Sequence, residues 1–153
     1  MTLRSRDSVA NQLDEVFDRA SKMLADPDVQ ADYARYLCVL VTGYLERSVR
    51  KTILDFVDLH GNPRFSRYIE WSLRPARNMR AKEILDILKR FDDGWKLALE
   101  GKLTLRHREA IGSVYANRNK IAHGEDVDLA YRQIRADYDL VKEAVRFLED
   151  SVK

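Results

Sequence analysis

The chain has 153 residues, of which 45% are apolar and 34% charged, and its net charge is +2. That length suits one domain burying about two-thirds of its unfolded surface, and the near-neutral balance excludes a polycation that holds nucleic acid by bulk charge alone. A single cysteine, Cys38, excludes an internal disulfide framework and points to a buried thiol in a reducing cytoplasm, while six glycines and three prolines favour long helices over strands and turns.

The segment from Met1 to Asp7 lacks the hydrophobic core of a signal peptide. Residues 7–25 read as an amphipathic helix with Val9, Leu13, Val16, Phe17, Ala20, Met23 and Leu24 on one side. Asp26-Pro27 supplies an N-cap and a first-turn proline for a second helix. This helix can run to Leu59, about 50 Å at 1.5 Å per residue, unless Gly43 bends it. Its stretch from Tyr36 to Leu45 is apolar on nearly every side, which marks it as the central helix, yet it is only about half as long as a membrane span. Beyond Gly43, Glu46, Arg47, Ser48, Arg50 and Lys51 make the second half polar enough to line a cleft. His60-Gly61-Asn62-Pro63 then stops one helix and starts another.

From Arg64 to Lys82 the chain turns basic. Arg64, Arg67, Arg74, Arg77, Arg80 and Lys82 stand against one acid, Glu70, with Phe65, Tyr68 and Trp71 interleaved. A short helix over 63–73 ends before Pro75, and the three aromatics are assigned to core and interface in preference to base stacking. Asn78 is placed as the cap of the next helix, whose stripe is Ala81, Ile84, Leu88 and Phe91. Asp92-Asp93-Gly94 interrupts or kinks that helix, Trp95, Leu97, Ala98 and Leu99 extend its apolar surface, and Gly101-Lys102 ends the unit.

Thr104 caps the following helix. Its stripe of Ile111, Val114, Arg118 and Ile121 puts an arginine where the helical period asks for a hydrophobe. Arginine is seldom buried without partners, so Arg118 either meets an acid, Glu46 or Asp126, or borders a functional cleft. His123 follows five residues later, and Gly124 supplies a left-handed stop. The last helix alternates Val127, Tyr131, Ile134, Tyr138, Val141, Val145, Leu148 and Val152 in fours and threes, with Asp128, Arg132, Asp137, Lys142 and Glu143 solvated. No strand period, repeat or linker competes. The expectation is one all-α bundle of about five helices spanning residues 1–153.

Among chemistries, metal binding is disfavoured: His60, His107 and His123 are far apart, Cys38 stands alone, and no helical carboxylate–histidine pair recurs. Neither a phosphate-binding glycine loop nor a nucleophile elbow nor a dinucleotide fingerprint is present, so no cofactor is expected. His60 and His107 are assigned to the surface. That leaves the end of the Thr104 helix, where an obligate cation and a group titrating near neutrality suit a phosphate.

The run Arg118-Asn119-Lys120-Ile121-Ala122-His123-Gly124 resembles the hallmark of the HEPN superfamily of small all-α proteins, an arginine followed after four to six residues by histidine, with a polar residue next to the arginine. It is most similar to the RiboL-PSP-HEPN group. The resemblance implies a metal-independent endoribonuclease in which two protomers bring their motifs into one cleft, and such proteins are often toxins or defence effectors. It implies Arg118 and His123 as catalytic residues and carries Glu46 over as the acidic position near the motif, able to pair with Arg118.

The residues allow the chemistry to be argued directly. RNA brings its own nucleophile, the 2′-hydroxyl, so an enzyme needs a proton acceptor, a proton donor and charge stabilisation at phosphorus. Histidine suits the proton transfers, and the arginine fork suits two phosphate oxygens. Asn119, four residues before His123, can orient the imidazole or bind substrate, and Tyr115 lies one turn before the motif. Arg64, Arg67, Arg74, Arg77 and Arg80 are candidates for the RNA backbone, with Tyr68 or Trp71 available to bases. On an ideal helix Arg118 and His123 point about 140° apart. Either the helix unwinds at Ala122, or the two act in different protomers.

The bland alternatives are a helix-terminal His123 favourable to the macrodipole, a structural Arg118 held by an acid, and a solvated basic surface. The expected protein is thus a cytoplasmic homodimeric ribonuclease acting on RNA, with a cognate antitoxin or regulatory protein as a further partner. The competing expectation is a non-catalytic HEPN module binding a partner protein, a nucleotide or RNA. A live site needs an accessible His123; a structural one buries Arg118 against an acid.

Overall fold

A computed structural model describes residues 3–22 and 26–153, with side chains from Val9 onward. These residues form seven α-helices and no strand: α1 (Leu3–Lys22), α2 (Pro27–His60), α3 (Pro63–Leu73), α4 (Ala81–Lys89), α5 (Asp93–Lys102), α6 (Leu105–Ala122) and α7 (Tyr131–Ser151). The all-α class agrees with expectation, but the count of about five helices does not. The difference arises between residues 63 and 102, where local caps cut the chain into short pieces. Asn62 accepts from the Arg64 N–H at 3.0 Å, and Asp92 accepts from the Trp95 N–H at 3.1 Å, so α5 starts afresh instead of continuing α4.

α2, α6 and α7 pack on one another as the centre of the bundle. α1 lies along α2, α3 touches α2, and the α4–α5 pair closes the far side against α6 and α7. α2 runs through Gly43 without interruption, capped by Asp26, whose side chain accepts from the Asp28 N–H at 2.9 Å. Leu37, Cys38, Val41, Val49 and Ile53 on this helix are fully enclosed. In α7, Ile134, Tyr138, Val141, Val145 and Leu148 are all buried, each worth about 1.5–3 kcal/mol relative to exposure. Phe17 of α1 stacks on Tyr138 with ring centroids 4.5 Å apart, and the Tyr138 hydroxyl donates to Asp14 at 2.9 Å. Met23 and Leu24, assigned to the stripe of the first helix, lie outside the described residues.

Several residues sit differently from their sequence assignment. Val127 is buried but precedes α7, in the connector from α6. Asp137 is 4% exposed, not solvated, because its flank of α7 turns toward α6 and α2. His107 is buried, not on the surface: it occupies the third position of α6, where its Nδ1 accepts from the Thr104 N–H at 3.1 Å and completes a capping box. Its Nε2 lies 3.2 Å from Glu143 of α7.

The aromatics of α3 depart from the core half of their assignment. Phe65, Tyr68 and Trp71 are exposed, not core. α3 has one principal neighbour, α2, and needs only the narrow stripe of Ser66, Ile69 and Leu73 to meet it, so the aromatic side faces outward. No helix among the described residues is long and apolar enough to cross a membrane.

Candidate active site

α6 delivers the motif. Its C-terminus closes as a Schellman motif: the Gly124 N–H bonds the Ile121 carbonyl at 3.1 Å, and the Glu125 N–H bonds the Lys120 carbonyl at 3.0 Å. Gly124 adopts φ +72°, the left-handed conformation expected of it. The helix does not unwind at Ala122, since the His123 N–H still bonds the Asn119 carbonyl at 3.1 Å. His123 is the C-cap and its imidazole is exposed.

Arg118 is half-buried one turn earlier. Its Nη1 donates to the side-chain oxygens of Asn78 at 3.4 Å and Asn119 at 3.5 Å. No ion pair joins it to an acid among the described residues. Asp126 is engaged elsewhere, 3.6 Å from Arg35, whose guanidinium also donates to the Val127 carbonyl. Glu46 is buried and accepts from the Tyr115 hydroxyl at 3.4 Å instead of pairing with Arg118. The guanidinium is therefore held by two neutral amides and makes no direct ion pair among the described residues.

Tyr115 has no exposed surface, so it packs behind the motif and is out of reach of a substrate. Burial, and then the Glu46 charge, push its ionisation above the usual phenol range, which keeps the hydroxyl protonated and donating. Cys38 sits in the same interior, its thiol donating to the Val114 carbonyl at 3.3 Å and pushed up to about 12, chiefly by burial. Asp137 is the nearby buried acid. Gln133 donates to its Oδ1 at 3.0 Å, whereas Oδ2 has no partner of good geometry although the Ser113 hydroxyl is close. Burial raises its titration above the ordinary carboxylate range. Asn119 does not hold the His123 ring; its side-chain oxygen serves Arg118.

Two contributors escaped sequence reading. Asn78 was expected to cap α4, but Arg80 takes that position without a side-chain bond. Asn78 instead adopts φ +52° in the α3–α4 loop and turns its amide to Arg118. An asparagine three residues after Pro75 was a signal for that turn, because asparagine tolerates left-handed backbone better than most residues. Arg50 of α2 fixes the same loop, donating to the carbonyls of Leu73, at 3.3 Å, and Ala76. The loop in turn carries Arg74, Arg77 and Arg80, all exposed, as are Arg64 and Arg67 on α3.

No group of three or more His, Cys, Asp or Glu side chains that could hold a metal ion occurs among the described residues. Neither curated proteins nor solved structures contain a match to this chain. A family model described as RiboL-PSP-HEPN does match, over residues 3–153, and with that span the chain belongs to the RiboL-PSP-HEPN family.

Proposed function

We propose that the protein is a metal-independent endoribonuclease, active as a homodimer and serving as a toxin or defence effector, with Arg118 and His123 as its catalytic residues. One observation carries this reading: Arg118 is held in place by neutral amides and no acid, at a helix end that leaves His123 open to solvent. A structural arginine at this depth would be expected against a carboxylate. An arginine that must bind phosphate needs its charge intact.

In the reaction, the 2′-hydroxyl of the RNA loses its proton to an imidazole and attacks the adjacent phosphorus. Arg118 binds two non-bridging oxygens and gains strength as charge builds on the phosphorane. The 5′-oxygen leaves with the proton that the imidazolium returns, yielding a cyclic phosphate and a free hydroxyl. Asn119 and Asn78 aim the guanidinium, the Glu46–Tyr115 pair supports it from the interior, and Arg64, Arg67, Arg74, Arg77 and Arg80 hold the strand. A homodimer places the His123 of one chain opposite the Arg118 of the other.

Purified protein incubated with single-stranded RNA and with transfer RNA in excess chelator should give fragments with cyclic phosphate ends, and His123→Ala should abolish them. Uncut RNA, or a His123→Ala protein as active as the parent, would remove the catalytic reading in favour of a non-catalytic binding module.

A further inference from the structure

The outward side of α3 is not explained by folding. Phe65, Tyr68 and Trp71 are 66%, 64% and 63% exposed, at successive spacings of three on a helix whose other side already meets α2. The Tyr68 and Trp71 rings lie 6.0 Å apart. None of Arg64, Arg67, Arg74, Arg77 or Arg80 enters an ion pair among the described residues.

We propose that this face is a stacking platform for the unpaired bases of a single RNA strand, which the α3–α4 loop then leads to Arg118. The inference rests on the ribonuclease reading for the strand's destination. Aromatic faces accept any base, and interleaved guanidiniums follow the backbone between them. Duplex RNA keeps its bases stacked inside and offers such a face only phosphates and sugars.

Charge decides against the chief competing occupant, a second copy of this chain. Two such faces meeting about a dyad would bring ten unpaired arginines together, each pair repelling, whereas a polyanion neutralises them. Continuity supplies the direction. Trp71 and Asn78 are seven positions apart, a reach of at most about 25 Å, and Arg50 holds the stretch folded by its bonds to the carbonyls of Leu73 and Ala76. Asn78 touches Arg118. A strand leaving the aromatics thus crosses Arg74, Arg77 and Arg80 before it reaches the motif.

The test uses an eight-nucleotide oligouridylate and a duplex of the same length, bound to full-length protein carrying His123→Ala so that the strand is not consumed. The two tryptophans make a built-in control, because Trp71 is exposed and Trp95 is 6% exposed. The single strand should quench Trp71 emission and bind at least about tenfold tighter than the duplex. Tyr68→Ala and Trp71→Ala should each weaken it by at least about fivefold, while Trp71→Phe keeps the affinity and loses the quenching. The slope of log affinity against log salt should be near −3.5, about −0.7 for each of five phosphate contacts.

Equal binding of strand and duplex, with both alanine variants unaffected, would overturn the platform. So would Trp71→Ala dissolving a dimer in sedimentation while leaving RNA affinity untouched. Wild-type protein that cuts RNA but fails these binding tests discards the platform alone. Stacking by a protein that cuts nothing discards the ribonuclease reading and keeps the platform.

Discussion

Pairing two inactive variants is the decisive perturbation for a site shared between chains. α6 stays helical through Ala122, so Arg118 and His123 leave it about 140° apart and about 7.5 Å apart along the axis. On a helix about 10–12 Å across with its side chains, their ends stand roughly 12 Å from one another. Two hydrogen bonds of about 3 Å to oxygens of one phosphate span no more than roughly 8 Å. One chain therefore does not place both groups on the same phosphate without bending back its arginine. In a two-fold dimer there are two equivalent crossed pairs, each taking Arg118 from one protomer and His123 from the other. Arg118→Ala and His123→Ala homodimers lose both pairs. A heterodimer of the two variants keeps one, formed by the intact arginine of one chain and the intact histidine of the other. Co-expression with different affinity tags, followed by tandem purification, should yield heterodimers with about half the wild-type cleavage rate, from parents that are each inactive. Heterodimers as inactive as their parents, beside an active wild type, would refute the crossed geometry and return both residues to a single chain.

Two further outcomes follow from the motif's surroundings. Asp137→Asn should raise Tm by a few degrees at neutral pH, since an incompletely satisfied buried carboxylate costs about 1–3 kcal/mol. Its folded titration lies above the unfolded one, so ionisation opposes folding at neutral pH; the gain should shrink as pH falls through the folded value and vanish below the ordinary value of 3.8, which thermal melts across pH will read. Asn78→Gly keeps the left-handed backbone at φ +52° but removes the amide that holds Arg118, so cleavage should fall about fivefold, the worth of roughly 1 kcal/mol of hydrogen bond, with Tm nearly unchanged. Asn78→Ala should lower both, because a left-handed alanine adds roughly 1–2 kcal/mol of strain; equal activity in Asn78→Gly and wild type would deny Asn78 a positioning role.

What was legible in the chain was local. Asp26, Asn62 and Thr104 each cap the helix they precede, and Gly124 ends α6 in the left-handed conformation its place demands. These signals act within a few residues and do not depend on what packs nearby. The stripe of α7 was legible too, because an apolar position repeated every three or four residues fixes a face whatever the partner is. The misreadings of Asp137 and of the α3 aromatics were non-local. Asp137 and the solvated Asp128 look alike in sequence, and only the approach of α6 and α2 buries one of them. The aromatics of α3 were assigned to core and interface because aromatics are usually buried, but within one chain a single neighbouring helix can cover only one stripe. His107 looked like a spare surface histidine because the reciprocal bond with Thr104 is more often made by glutamate or glutamine.

The motif itself shows the same division. That Arg118 was out of place in an apolar stripe could be read directly, and so could the two ways of resolving it, an acid or a cleft. Glu46 was the nearest acid by family likeness, yet the structure commits Glu46 to Tyr115 and Asp126 to Arg35. The partner that replaces them comes from a loop forty residues earlier, and it is an amide. A carboxylate at that distance would anchor the guanidinium more firmly, but it would also compete with every phosphate that approached, at a Coulomb strength of several kcal/mol in a half-buried setting. An amide oxygen accepts the hydrogen bond and leaves the charge. Asparagine at position 78 suits the left-handed backbone of its loop, and over aspartate it also suits an arginine that has still to bind an anion.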